Sequence, residues 1–125
     1  MLADYPVCAV IGVKDLAAAK KFYGETLGLK DPKEDPGGVL FKSGKGSAVY
    51  VYQTEFAGTN KATGAAWNVD DVPALVKELK NKGVKFDTFE LPGTKWEDEV
   101  AVMGPAKAAW FSDPDGNILN IVSGM

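Results

Sequence analysis

Arginine and histidine are both missing from the 125-residue sequence, and cysteine occurs once, at Cys8. Without histidine, the chain lacks the commonest metal ligand and the general base whose ordinary pKa lies near neutrality. Without arginine, it lacks the planar group that binds phosphate or carboxylate through two parallel hydrogen bonds. A single cysteine excludes an intrachain disulfide and a zinc site built from several cysteines, and it favours a reducing compartment.

Charge and hydropathy narrow the class of protein further. All 14 basic residues are lysine, and the formal net charge is -3, so the basic field needed for sequence-independent nucleic-acid binding is lacking. The N-terminus has no basic region followed by a long apolar stretch, and no segment approaches the roughly 18 apolar residues of a membrane span. We expect one cytoplasmic globular domain, residues 1–125, with neither nucleic-acid nor membrane partners.

The first half of the chain predicts a strand, a helix and three further strands. Residues 6–13 are small or β-branched, and Asp15 is a predicted N-cap for the helical pattern LAAAKKFYGETLG, which Gly28 would end. The three short extended segments that follow are separated by the turn sequences DPGG and SGKGS, and they cover residues 29–31, 39–43 and 47–53.

The second half repeats this order. Residues 65–69 are extended, Asp71 caps a second helix, and Gly83 ends it. Extended segments are predicted at 84–91, 106–112 and 117–122, with a long loop over 92–105 and a turn at DPDG. VKDLAAAKKFYGETLGLKD aligns with VDDVPALVKELKNKGVKFD almost without gaps, so we predict two βαβββ modules, about residues 5–54 and 63–123.

This arrangement resembles the vicinal oxygen chelate superfamily, which includes glyoxalase I, fosfomycin resistance proteins, extradiol dioxygenases and bleomycin-binding proteins. The resemblance covers about residues 6–123, and it is carried by the V-x-D-L segment with FYGETLGL and by the late FSDPDGNIL. It implies an α+β fold in which tandem βαβββ modules form curled mixed sheets around a cavity, with helices outside. It does not fix one activity, since one fold hosts many functions.

The resemblance also allows the metal positions of the superfamily to be compared with this sequence. The positions of the two strand ligands hold Cys8 and Gly64, the position of the glutamate ligand holds Asn120, and the carboxylate position of glyoxalases falls within residues 50–52, Tyr-Val-Tyr. A catalytic divalent ion needs three or four converging donors. We therefore expect no metal and no cofactor, and we do not expect metal-dependent glyoxalase, extradiol or epoxide-opening chemistry.

Strand alternation and the family register instead predict a cavity lined by small and aromatic residues, in which flat ligands could stack. Trp96 would join it if loop 92–105 folds over the mouth, where Glu97, Asp98 and Glu99 would form an acidic rim. The predicted ligand-binding residues are Cys8, Tyr50, Tyr52, Gly64, Asn68, Trp96, Trp110 and Asn120. Plainer interpretations stay open: the aromatics could fill the core, Cys8 could be a buried small hydrophobe, and Trp67 is expected to pack under a helix.

Two functions and a plainer alternative follow from this pattern. The first is a metal-free protein similar to the bleomycin-resistance proteins, which would bind an aromatic or cationic small molecule in grooves shared by a homodimer and so serve antibiotic resistance. The second is a glyoxalase-like lyase or another enzyme of the superfamily, with Tyr50 or Tyr52 as acid, Cys8 as nucleophile or a carboxylate from loop 92–105. The third is a dimeric scaffold with a closed cavity. No catalytic residue is assigned.

Overall fold

Two mixed β-sheets and two helices make up the computed structural model, which describes residues 1–124. A π-helical turn, Lys21–Thr26, extends the first helix, and short 3-10 turns cover Leu2–Asp4 and Gly44–Gly46. The regular elements in chain order are β1 (Cys8–Val13), α1 (Leu16–Lys20), β2 (Lys30–Asp35), β3 (Gly38–Lys42), β4 (Ala48–Gln53), β5 (Thr63–Asn68), α2 (Val72–Asn81), β6 (Phe86–Asp87), β7 (Lys95–Glu97), β8 (Val100–Met103), β9 (Ala106–Ser112) and β10 (Ile118–Ser123).

Each half of the chain supplies one sheet. The first sheet has the order β1-β4-β3-β2, and the second has the order β5-β10-β9-β8-β7, with β6 paired to β9. β1 runs parallel to β4 and β5 runs parallel to β10, whereas the other pairs are antiparallel. The predicted α+β fold with mixed sheets is confirmed, and the sheets do not close into a barrel. The division into two modules of a single domain stays a prediction.

Both helices begin at the aspartates that the sequence indicated. Asp15 Oδ1 accepts hydrogen bonds from the backbone N–H groups of Ala17 and Ala18, at 2.9 and 3.2 Å, and Asp71 Oδ1 accepts one from Ala74 at 3.1 Å. Such caps satisfy amide groups that the first helical turn leaves without partners. Within residues 1–124, no helix is long and apolar enough to cross a membrane.

The predicted loop over residues 92–105 is wrong, because this segment contains the β7–β8 hairpin. Trp96 pairs with Ala101 across it, and Asp98 adopts a φ of 55° in its turn. Aspartate tolerates this left-handed conformation better than most residues, so a charged run could form a tight turn. The predicted strand over 84–91 is also too long, since only Phe86 and Asp87 are extended and paired.

One hydrophobic core joins the helices to the helix-facing sides of both sheets. Alternation along β1 and β4 buries Ile11, Val13, Val49 and Val51 on this side. Its largest members include Tyr23, whose ring is fully buried and whose hydroxyl donates a 2.7 Å hydrogen bond to Asp113 Oδ2. The full cluster comprises Ile11, Val13, Ala19, Tyr23, Val39, Phe41, Val49, Val51, Val72, Val76, Leu79, Val84, Val100, Ala109, Phe111, Leu119 and Ile121.

The DPDG turn of the second half binds the end of β1 in the first half. Asn117 Nδ2 donates to the carbonyl of Gly12 at 2.8 Å, and the backbone N–H of Lys14 donates to Asp115 Oδ2 at 3.1 Å. The turn itself is held by Asp113, whose Oδ1 accepts from the backbone N–H groups of Asp115 and Asn117 at 2.9 and 2.8 Å. These contacts fix the first sheet relative to the second.

Candidate ligand-binding site

Each sheet has one face packed on the core and one face turned away from it. On the first sheet, the side chains that alternate with the buried valines form what we call the first open face, comprising Cys8, Val10, Gly12, Tyr50 and Tyr52. Val10 is 57% exposed, although it is apolar. On the second sheet, the corresponding second open face comprises Ala66, Asn68, Trp96, Ala108, Trp110 and Asn120. A register shift interrupts the alternation at the start of β5, and a Cβ added to Gly64 would lie 3.6 Å from the buried side chain of Ile11, so Gly64 is not part of this face.

Two parallel tyrosines dominate the first open face. The ring centroids of Tyr50 and Tyr52 lie 6.3 Å apart, and the ring planes are inclined by only 10°. The Tyr50 hydroxyl donates to Asp35, at 3.0 Å from Oδ1 and 3.2 Å from Oδ2. The face therefore offers a flat aromatic surface with a carboxylate at its edge, a combination suited to an aromatic cation.

The Asp35–Tyr50 pair also bears on acid catalysis. The pKa of Asp35 is lowered, first by the backbone N–H of Gly37 and then by the Tyr50 hydroxyl. The same hydrogen bond to Asp35 raises the pKa of Tyr50, because the ionised phenol would lose a donor contact and face a carboxylate. Tyr50 therefore holds its proton more firmly than an ordinary tyrosine, which makes it a poorer general acid.

An aromatic cluster centred on Trp110 occupies the second open face. Trp96 lies 6.2 Å from Trp110 between ring centroids, and Phe89 lies 5.5 Å away in an edge-to-face arrangement. The indole Nε1 of Trp110 donates to Thr63 Oγ1 at 3.2 Å, which fixes the ring plane. Trp110 is half-buried, so part of a positioned indole remains open to a ligand.

The β7–β8 hairpin explains one predicted contact of Trp110, and a second contact of Trp110 was not predicted. Trp96 reaches Trp110 because β7 pairs with β8, which in turn pairs with β9, and not as part of an irregular loop. Phe89 was not predicted to contact Trp110. The signal available in the sequence was an aromatic residue in the short connection after β6. One residue of the predicted acidic rim, Glu99, contacts α2: its Oε1 lies 2.6 Å from Lys80 Nζ.

Asn120 lies beneath this cluster, between Ala66 and Trp110 in the strand register. Its side chain is 8% exposed, and its Nδ2 donates to the carbonyls of Ala109 and Ile121 at 3.0 and 3.3 Å. Within residues 1–124, no hydrogen bond is made to its Oδ1. The amide orientation is therefore set by the backbone, and one carbonyl acceptor is left for a ligand.

The residues at the metal positions do not fit a divalent ion. Gly64 has no side chain, Asn120 directs its amide nitrogen to backbone carbonyls, and Cys8 is an exposed free thiol. In the described part of the chain, no three side chains of histidine, cysteine, aspartate or glutamate lie together as a metal would require. The chemistry open to this site is stacking, hydrogen bonding and charge attraction.

The predicted site residues therefore do not form one site. Cys8, Tyr50 and Tyr52 belong to the first open face, and Asn68, Trp96, Trp110 and Asn120 belong to the second. Gly64 lies at the seam between β1 and β5, where it lines a cavity of about 240 Å³ together with Tyr52. Cys8 is exposed rather than buried, whereas Trp67 packs against the core on the helix-facing side, as expected.

Comparison with known proteins agrees with this architecture. The family model described as Glyoxalase/Bleomycin resistance protein/Dioxygenase superfamily matches residues 6–121. The chain belongs to this superfamily. The resemblance seen in the sequence is thereby confirmed, and no curated protein matches the chain.

Several solved structures share the fold at low identity. TnmS3, an antibiotic binding protein from Streptomyces sp. CB03234, is 23% identical with a TM-score of 0.71, and the match covers 97% of this chain and 96% of that protein. A superfamily member from Sphaerobacter thermophilus DSM 20745 is 28% identical with a TM-score of 0.68, covering 95% and 96%. A glyoxalase/bleomycin resistance protein from Streptomyces sp. CB03234 is 24% identical with a TM-score of 0.67, covering 94% and 98%.

Proposed function

We propose that this chain is a metal-independent binding member of the superfamily, which sequesters a flat aromatic cation without transforming it. The observation that carries the proposal is the Trp110 cluster, in which a half-exposed indole is fixed by Thr63 and flanked by Trp96 and Phe89. An antibiotic binding protein is among the proteins of similar fold. Such a role would serve antibiotic resistance in the cytoplasm by lowering the free concentration of a drug.

Binding would rest on three kinds of contact. The ligand ring would stack on Trp110, which rewards flat aromatic surface. A ring N–H of the ligand would donate to Asn120 Oδ1, and the ligand's positive charge would be attracted by the aromatic faces. The net charge of -3 favours a cation over an anion at long range.

We further propose that the complete site forms in a homodimer, with the first open face of one copy set against the second open face of its partner. The tyrosine pair and Asp35 would then form the second wall around the ligand. Support comes from apolar side chains that lie exposed beside the first open face, since Leu2, Tyr5 and Val7 are 78%, 68% and 86% exposed. A second copy covering this segment would remove that apolar surface from water.

Fluorescence titration with 9-aminoacridine, a flat aromatic cation, tests the binding proposal. We expect saturable binding that is weakened by Trp110→Ala by about tenfold or more, given the roughly 1–3 kcal/mol typical of aromatic–base stacking. Trp67→Phe is the matched control, because Trp67 lies on the opposite face of the second sheet. Equal affinity in wild type and Trp110→Ala, with circular dichroism showing both folded, would contradict the proposal.

Sedimentation equilibrium tests the dimer separately. Val10→Lys places a charge on the exposed part of the first open face, and we expect it to shift the protein from dimer to monomer and to weaken dye binding. The control Lys77→Gln alters an exposed residue of α2, on the other side of the molecule from that face. A wild-type protein that stays monomeric at concentrations where it binds the dye would refute the shared site.

A further inference from the structure

A further cavity lies on the helix-facing side of the second sheet, away from the Trp110 cluster. Its volume is about 530 Å³, within the range of small-molecule sites. The floor is formed by buried Leu79, Phe111 and Ile121, and the walls by half-buried side chains from α2, from β5 and from the segment after the first helix. These wall residues are Leu27, Leu29, Trp67, Val69 and Leu75. We call this space the helix-side cleft.

The apolar interior of the helix-side cleft is mostly aliphatic. Its aromatic members are Phe111 in the floor and Trp67 in the wall. The Nε1 of Trp67 is already satisfied by a 3.1 Å hydrogen bond to Ser43 Oγ. The interior therefore offers dispersion contacts and removal of apolar area from water, with little directional bonding. A flexible hydrocarbon chain fits such a lining better than a polar ring does.

The mouth of the cleft carries an excess of positive charge. Exposed Lys30, Asp31 and Lys42 border it. Among residues 1–124, Lys42 is the lysine of this pair that has an ion-pair partner, with its Nζ 3.9 Å from Asp31 Oδ2. Two ammonium groups against one carboxylate leave a local charge of the opposite sign to the whole chain, which has a net charge of -3.

We propose that the helix-side cleft binds a medium-chain aliphatic carboxylate, with the chain against Leu75 and Trp67 and the carboxylate between Lys30 and Lys42. An apolar interior behind a cationic mouth complements a molecule with an apolar tail and one anionic end. This site is independent of the proposed drug site, because Trp67 and Trp110 lie on opposite faces of the second sheet.

Isothermal titration calorimetry with octanoate tests the proposal on the intact protein. We expect one saturable site per chain, with octanoate bound more tightly than 1-octanol and octylammonium, which have the same chain length. Leu75→Trp fills the cleft from α2 and should abolish binding. Lys42→Gln should weaken it about two- to fivefold, as expected for losing a partly screened surface charge, whereas Lys77→Gln, an exposed lysine elsewhere on α2, should leave it unchanged.

The variants separate failure of this proposal from failure of the drug-binding proposal. Trp110→Ala should leave octanoate affinity unchanged, and Trp67→Phe should alter it. Loss of octanoate binding in Trp110→Ala would overturn the cleft assignment. Tighter binding of 1-octanol or octylammonium than of octanoate, or no saturable binding, would also overturn it. If Leu75→Trp lowers the melting temperature strongly, Lys42→Gln against Lys77→Gln still decides the outcome.

Discussion

Replacing Tyr23 with phenylalanine removes one hydroxyl from the buried connection between the first helix and the DPDG turn. The ring contacts with Phe22 and Phe41, at centroid distances of 5.2 and 6.4 Å, are retained in the variant. What is lost is the 2.7 Å hydrogen bond to Asp113 Oδ2. Hydrogen bonds to charged groups contribute about 1.5–3 kcal/mol, and Asp113 keeps its other donors from Asn117 and Asp115.

We therefore expect Tyr23→Phe to lower the free energy of unfolding by about 2 kcal/mol, and the melting temperature by roughly 6 °C for a chain of this size. Urea unfolding followed by circular dichroism measures the first quantity, and calorimetry measures the second. Tyr5→Phe, at a position 68% exposed, is the matched control and should change neither. A loss below about 0.5 kcal/mol would refute the view that this bond stabilises the fold.

The same residue gives the wild-type protein a specific response to alkali. Burial, followed by the charge of Asp113 and the hydrogen bond to it, raises the pKa of Tyr23 far above its ordinary value of 10.0. Above about pH 10 the unfolded chain releases this proton and the folded chain keeps it, so the stability that Tyr23 contributes is lost as pH rises. We expect a slope of about 1.4 kcal/mol per pH unit from this group, and Tyr23→Phe should lack it. Identical alkaline slopes in both proteins would refute the assignment.

Two further predictions concern the first sheet. Asp35 should titrate below the ordinary aspartate value by carbonyl NMR, because backbone N–H groups of the following turn and the Tyr50 hydroxyl favour its ionised form; Tyr50→Phe should move that pKa part of the way back up, and no movement would exclude the hydrogen bond. Its stabilising effect is present above the ordinary pKa and is lost as pH falls through the lowered one. Gly38→Ala should destabilise the protein by roughly 3 kcal/mol in urea unfolding, since an added Cβ would lie against the Val51 carbonyl, whereas Gly44→Ala meets open space and should change little.

The sequence predicted the elements whose signals are local. Asp15 and Asp71 identified both helix starts because a short carboxylate satisfies nearby amide groups wherever it precedes a helical pattern. The β7–β8 hairpin was missed because its strands are only three and four residues long and its turn is made of charged residues rather than glycine. The π-helical turn Lys21–Thr26 has no comparably simple sequence signal.

The candidate site was predictable in composition but not in arrangement. Alternation assigned Tyr50, Tyr52 and Trp110 to the faces turned away from the helices, and assigned Trp67 to the core side. Alternation cannot tell how two sheets are placed relative to each other, because that depends on contacts distant in sequence. The separation of the open faces and the helix-side cleft were therefore visible only in three dimensions.

The contacts from Asn117 and Asp115 to the end of β1 make the two halves of the chain unequal. The corresponding turn of the first half, between β3 and β4, is SGKGS and has no carboxylate or amide side chain that could return such contacts. A chain in which the first half was joined to a second copy of itself would therefore lack these side-chain bonds to the end of β1. The polar contacts that secure the end of β1 thus depend on residues of the second half alone.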